Sequence, residues 1–91
     1  MPRGLLMDVS DNVIVALSDV ESGETVEFER GGERLSVDAR DAVRFGHKIA
    51  VAAIPPGQSV TRYGQPIGVA TAAIAPGQHV HTHNLKGTRG R

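Results

Sequence analysis

Apolar residues fall in short bursts along this chain, and the bursts have the length and spacing of strands. Residues 12–17, NVIVAL, form an apolar, β-branched run. Residues 24–30, ETVEFER, alternate, with Val26 and Phe28 on one face and Glu27 and Glu29 on the other. Gly31 and Gly32 then predict a hairpin turn, with residues 34–37 as the returning strand. Residues 47–54 (HKIAVAAI) and 66–74 (PIGVATAAI) are further apolar runs, too short and too closely bounded by Gly and Pro for helices. One turn of helix is expected near residues 38–43, DARDAV. The pattern as a whole predicts an all-β domain.

A repeat punctuates these strands. VESGETV (20–26), IPPGQSV (54–60) and IAPGQHV (74–80) share apolar-x-x-Gly-x-x-Val. Each Gly stands where a tight turn needs positive φ, and Pro56 and Pro76 preset the residue before it. The valine three residues on restarts a strand. The repeat therefore predicts a strand–turn–strand corner used three times.

Composition narrows the picture. Ninety-one residues make one domain, with Phe28, Phe45 and Tyr63 as its aromatics and no Trp. Such a core is thin, and support from a partner chain or a following domain is expected. Acidic and basic residues balance, ten against ten, so no excess of charge points to nucleic acid. The local exception is a short basic tail, residues 86–91, with Lys86, Arg89 and Arg91. The absence of cysteine excludes a disulfide framework and fits a cytoplasmic location. No apolar run reaches the ~18 residues of a membrane span, and the N-terminal patch is too short for a signal peptide.

The chemistry gathers at histidine. His79, His81 and His83 occupy alternate positions after the third corner. In an extended strand they share one face, with neighbours roughly 6–7 Å apart at Cα, while Val80 turns to the core. Imidazole is the commonest side-chain metal ligand, and this spacing suits two ligands of one site, with a third or fourth needed from elsewhere. The alternative is a solvated strand edge with ordinary surface histidines. His79 is the weakest of the three, because it fills the variable slot held by Thr25 and Ser59 in the other corners. His47 follows Gly46, and Lys48 beside it is a ready partner for a carboxylate. Residues 61–68, TRYGQPIG, place Arg62, Tyr63 and Gln65 in a Gly-rich connection, either a pocket lining or a plain β-connection. No P-loop, Rossmann glycine pattern or Ser–His–Asp arrangement is present, and no acidic pair suggests acid–base work. As a free-standing catalyst the chain looks incomplete.

The blocks FGHK, YGQPIG and HVHTHN, in that order and spacing, resemble the SAF-type domain of the altronate/galactarate dehydratases over residues 11–85. That domain occurs fused to a large catalytic domain or as a separate small subunit. The resemblance implies a β-clip fold of short strands with long connections, after an N-terminal extension at residues 1–10. It implies a hydro-lyase that removes water from a sugar acid to give a 2-keto-3-deoxy acid, assisted by an iron-type divalent metal, Fe2+ or Mn2+. His47 and Lys48 match the Gly-His-Lys block and are expected at the catalytic site. Lys48, Arg62, Tyr63, Gln65 and Asn84 are expected to touch substrate, and His81 and His83 to hold metal. Thr82 stands where many relatives carry valine. The start at Met1 favours a small subunit over an excised domain. The expected partners are a large catalytic subunit and the sugar acid, with a homo-oligomer also compatible. Two alternatives share the pattern: the small subunit of a sulfolactate sulfo-lyase, and a non-catalytic carbohydrate-binding or assembly module.

Overall fold

The computed structural model describes residues 1–87. The fold is all-β, with no helix among the described residues. Nine short strands run β1 (Gly4–Leu5), β2 (Val13–Ala16), β3 (Thr25–Arg30), β4 (Glu33–Asp38), β5 (Lys48–Ala50), β6 (Ser59–Arg62), β7 (Gln65–Ala70), β8 (His79–Val80) and β9 (Leu85–Gly87). They form a four-stranded sheet β1-β2-β5-β8, the hairpin β3-β4, and a three-stranded sheet β6-β7-β9, all antiparallel.

The four-stranded sheet divides two hydrophobic cores. Side chains alternate along each strand, so Ile14, Ala16 and Ile49 turn to one face and Val13, Ala50 and Val80 to the other. The first set packs with Val20, Val26, Phe28, Ala39 and Val43. The second packs with Val60, Ala70, Ile54 and Ile74. The β3-β4 hairpin thus covers one face and the β6-β7-β9 sheet the other.

The corner expected three times occurs four times. Val43-Arg44-Phe45-Gly46-His47-Lys48-Ile49 is the additional copy. Gly23, Gly46, Gly57 and Gly77 have φ of +94°, +86°, +83° and +93°. Each turn closes with a hydrogen bond of 2.9–3.1 Å from the residue after Gly to the carbonyl three residues before it. Each Gly N–H also donates to the carbonyl of a buried alanine, whose N–H donates to the carbonyl of the residue after a corner Gly. The partners are Gly23 with Ala39, Gly46 with Ala16, Gly57 with Ala70, and Gly77 with Ala50, at 2.7–3.0 Å. Every one of those alanines begins a copy four residues before its apolar residue. The full unit is Ala-x-x-x-(Val/Ile)-x-x-Gly-x-x-(Val/Ile). The corners couple in pairs through reciprocal bridges, Val20 with Val43 and Ile54 with Ile74.

Several expectations change. No helical turn forms at residues 38–43, because their backbone groups are committed to distant corners: Ala39 N–H to the Glu24 carbonyl, Arg40 N–H to that of Gly77 and Val43 N–H to that of Val20. The apolar run 47–54 is a strand only over β5, since Ala50 is captured by the fourth corner. Residues 1–10, read as an extension, contribute β1, and Glu27 N–H donates to the Pro2 carbonyl. Lys86 and Gly87, read as tail, lie in β9 against β7. Arg89 and Arg91 lie outside the described residues.

Candidate functional site

The register of β5 on β8 places the histidines. Lys48 faces Val80 and Ile49 faces His79, so His47 falls opposite His81 one step further on. His47, His79 and His81 therefore share the face of the first core, at the sheet's open corner. The rings of His47 and His81 stack at 4.5 Å between centroids, and those of His47 and His79 at 5.2 Å. His47 Nδ1 and His79 Nε2 are 3.0 Å apart. One nitrogen from each of the three rings falls within 4.8 Å of the others.

The extended His-x-His-x-His strand does not form. β8 ends at Val80, and residues 81–84 turn. Asn84 causes this. Its Oδ1 accepts from His81 N–H at 3.0 Å, its Nδ2 donates to the His79 carbonyl at 2.9 Å, and its own N–H donates to the His81 carbonyl. The Asn84 side chain, expected at substrate, is buried and committed to the backbone. It positions histidines. His83 is carried out by the turn. Its ring lies 5.3 Å from that of His79 but tilted by 40°, and the converging nitrogens belong to His47, His79 and His81 in place of the expected pair His81 and His83.

His79 and His81 favour neutral imidazole. Burial holds the pKa of His79 below the ordinary histidine value, helped by His47, His83 and His81 and opposed by the Asp41 carboxylate. His81 is lowered by desolvation first, then by His47, Lys48 and His83. Asp41 is a supporting residue that sequence reasoning missed: its Oδ2 accepts the His79 N–H at 2.9 Å. Neutral nitrogens presenting lone pairs suit Fe2+, Mn2+ or Zn2+. A metal–nitrogen length of 2.0–2.1 Å puts neighbouring ligand nitrogens ~3.0–3.4 Å apart, close to the His47–His79 separation already present. A groove of about 760 Å³ opens beside His47 and His79, lined also by Asp19, Glu21, Ser22 and Arg44.

Lys48 lies one residue from His47 and so points to the other face of β5. There it shares cross-strand rows with Val15 and Val80. Desolvation and then the Arg62 charge lower its pKa. Arg62 sits over the Tyr63 ring at 5.0 Å, and its buried Nε has no hydrogen-bond partner. Neither cation takes part in a salt bridge among the described residues. Two neighbouring, partly desolvated cations without a carboxylate have the chemistry to hold an anion.

Tyr63 and Gly64, with φ of +58° and +71°, form the two-residue turn of the β6-β7 hairpin. Tyr63 and Gln65 are exposed at its tip, and no contact with the histidines is made among the described residues. The hairpin's anchor is Asp11. It is 2% exposed, and its carboxylate accepts N–H groups from Asp8, Tyr63 and Gly64 at 3.1, 3.0 and 2.8 Å. Only three-dimensional proximity reveals this role.

The family model for the altronate/galactarate dehydratase SAF domain matches residues 2–88. The altronate dehydratase of Escherichia coli is 45% identical over 76 residues, and that of Bacillus subtilis 40% over 76 residues. Each alignment covers 84% of this chain but 14% of the relative, so the chain spans about a seventh of those enzymes. The (2R)-sulfolactate sulfo-lyase subunit alpha of Chromohalobacter salexigens is 33% identical over 85 residues, 90% of each chain. No helix among the described residues is long and apolar enough to cross a membrane.

Proposed function

Since this chain belongs to the altronate/galactarate dehydratase SAF domain family, we propose that it is the small component of a cytoplasmic sugar-acid hydro-lyase and completes an active site on a larger catalytic chain. The observation that carries this reading is the convergence of His47, His79 and His81 from two separate corners at one open edge. That edge offers ligands without a full catalytic set.

Dehydration removes a weakly acidic proton next to a carboxylate and expels hydroxide from the neighbouring carbon. An iron-type divalent metal bound at the imidazoles would supply the Lewis acid for the departing hydroxide. His47, first expected at the catalytic site, serves here as a ligand. Lys48 and Arg62 hold the substrate carboxylate from the opposite face of β5, near His81. Tyr63 and Gln65, exposed on the hairpin, face the large chain or the far end of the substrate. The base that takes the proton comes from the larger chain.

A second reading has its own support. The match to the sulfo-lyase subunit alpha covers 90% of both chains, whereas the altronate dehydratases extend far beyond this domain. Expulsion of sulfite uses the same α-proton logic. Reconstitution with the large chain, assayed on altronate, galactarate and sulfolactate, decides between them. Full dehydration by the large chain alone refutes both. A His47→Gln/His81→Ala variant that remained fully active would leave an assembly module.

A further inference from the structure

We propose that this chain binds one divalent transition-metal ion by itself, through His47, His79 and His81, with His83 outside the ligand set. The proposal deepens the reading above by making the ion bind without the larger chain and by leaving His83 out of the set, and rests on it only for the biological role. Its first support is geometric. His47 and His79 are 32 residues apart in sequence, yet their nitrogens meet at 3.0 Å, and the third imidazole closes the set within 4.8 Å. Ordinary surface histidines have no reason to converge from separate turns with lone-pair atoms facing one another.

The second support is the way both residues depart from the repeated corner. The first position after Gly is Glu24, His47, Gln58 and Gln78 in the four copies. Glu24 and Gln78 close back on their own turns, accepting the N–H of Glu21 at 2.8 Å and of Ala75 at 2.6 Å. Pro55 offers Gln58 no N–H to accept. Arg44 does offer one, and His47 makes no such bond among the described residues. Its ring is turned to His79 and His81 instead. The second position is Thr25, Lys48, Ser59 and His79. The scaffold uses small or polar residues there, so imidazole is not a requirement of the turn. Both histidines give up the local role of their slots for a shared one.

Three neutral imidazoles leave the ion's full charge and at least one coordination position for an outside ligand. No carboxylate joins the set. Binding requires the proton between His47 Nδ1 and His79 Nε2 to move to the outer nitrogen of its ring, so both lone pairs face the ion.

The test is titration of the full chain with Co2+, read by calorimetry and by visible d–d absorption. One equivalent binds, with nitrogen-ligand bands. His47→Gln and His79→Ser install residues that other corners already carry, so both variants keep the fold, as circular dichroism verifies. Each weakens Co2+ by ~100-fold or more, as does His81→Ala, while His83→Ala changes affinity less than ~3-fold. Absence of Co2+ binding, or binding abolished by His83→Ala and untouched by His47→Gln, overturns the proposal. Metal binding together with an inactive reconstituted pair overturns the lyase reading alone. Activity of a pair whose small chain binds no metal overturns this proposal alone.

Discussion

Replacing Gly77 by alanine tests the corner architecture against a built-in control. Gly57 and Gly77 hold equivalent positions, with φ of +83° and +93°. A methyl group on Gly57 would meet nothing within 4 Å, whereas on Gly77 it would run into the Asp38 carbonyl oxygen, with Arg40 Cγ at 3.3 Å. Positive φ costs alanine about 1–2 kcal/mol, offset by ~0.4–1 kcal/mol from the stiffer unfolded chain. Gly57→Ala should therefore lose about 1 kcal/mol. Gly77→Ala adds an overpacking penalty of ~1–3 kcal/mol. Relief by backing away stretches two bonds, Gly77 N–H to Ala50 and Arg40 N–H to the Gly77 carbonyl, both 2.8 Å, at about 1 kcal/mol each. The total is about 4–6 kcal/mol, a large part of the stability of a domain this size. At ~4–8 °C per kcal/mol, melting should fall by ~15–50 °C for Gly77→Ala and by ~4–8 °C for Gly57→Ala. Urea and thermal unfolding followed by far-UV circular dichroism measure both. Losses within ~0.5 kcal/mol of each other would refute the close docking of the fourth corner on residues 38–40.

Three further outcomes are expected. Asp11→Ala leaves the N–H groups of Asp8, Tyr63 and Gly64 unpaired and should destabilise by about 2–4 kcal/mol in urea titration; a loss under ~1 kcal/mol would show that water replaces the carboxylate. Asn84→Ala frees the turn that carries His81, so Co2+ affinity should drop ~10–100-fold while the far-UV spectrum stays unchanged; unaltered affinity would deny Asn84 its positioning role. Lys48 has a folded pKa below its unfolded value near 10.5, so the unfolded chain binds the proton more tightly and stability rises with pH up to that value. The penalty is fully present at neutral pH. Lys48→Met should therefore gain most over the parent near pH 7 and progressively less toward pH 10.5, and a gain constant across that range in chemical denaturation would refute it.

Three corners are legible in the sequence because Gly and Val stand at fixed spacing, with Pro before Gly in two of them. The corner at 43–49 is not, because Phe45 replaces that Pro and Ile49 replaces Val. The alanines that receive the corner bonds look like filler until their partners are seen. The histidine strand misleads for a different reason: alternation presumes extended backbone, and Asn84 captures the backbone of His79 and His81 and bends it. That His47 meets His79 and His81 is a fact of register across 32 residues, which no local pattern encodes. Asp11 is invisible for the same reason, since two of its three donors, Tyr63 and Gly64, stand 52 and 53 residues away in the sequence.

The four corners also separate shape from reactivity. Alanine, the paired aliphatics and glycine hold each turn, and the two positions after glycine are free to differ, as Glu24-Thr25, His47-Lys48, Gln58-Ser59 and Gln78-His79 do. A descendant carrying Gln at 47 and Ser at 79 would retain the backbone and lose the imidazole cluster in two substitutions. Such a lineage can gain or lose the imidazole cluster while its fold persists. The same property makes the domain writable, since residues placed in those slots in an inert copy inherit a geometry the corners already maintain.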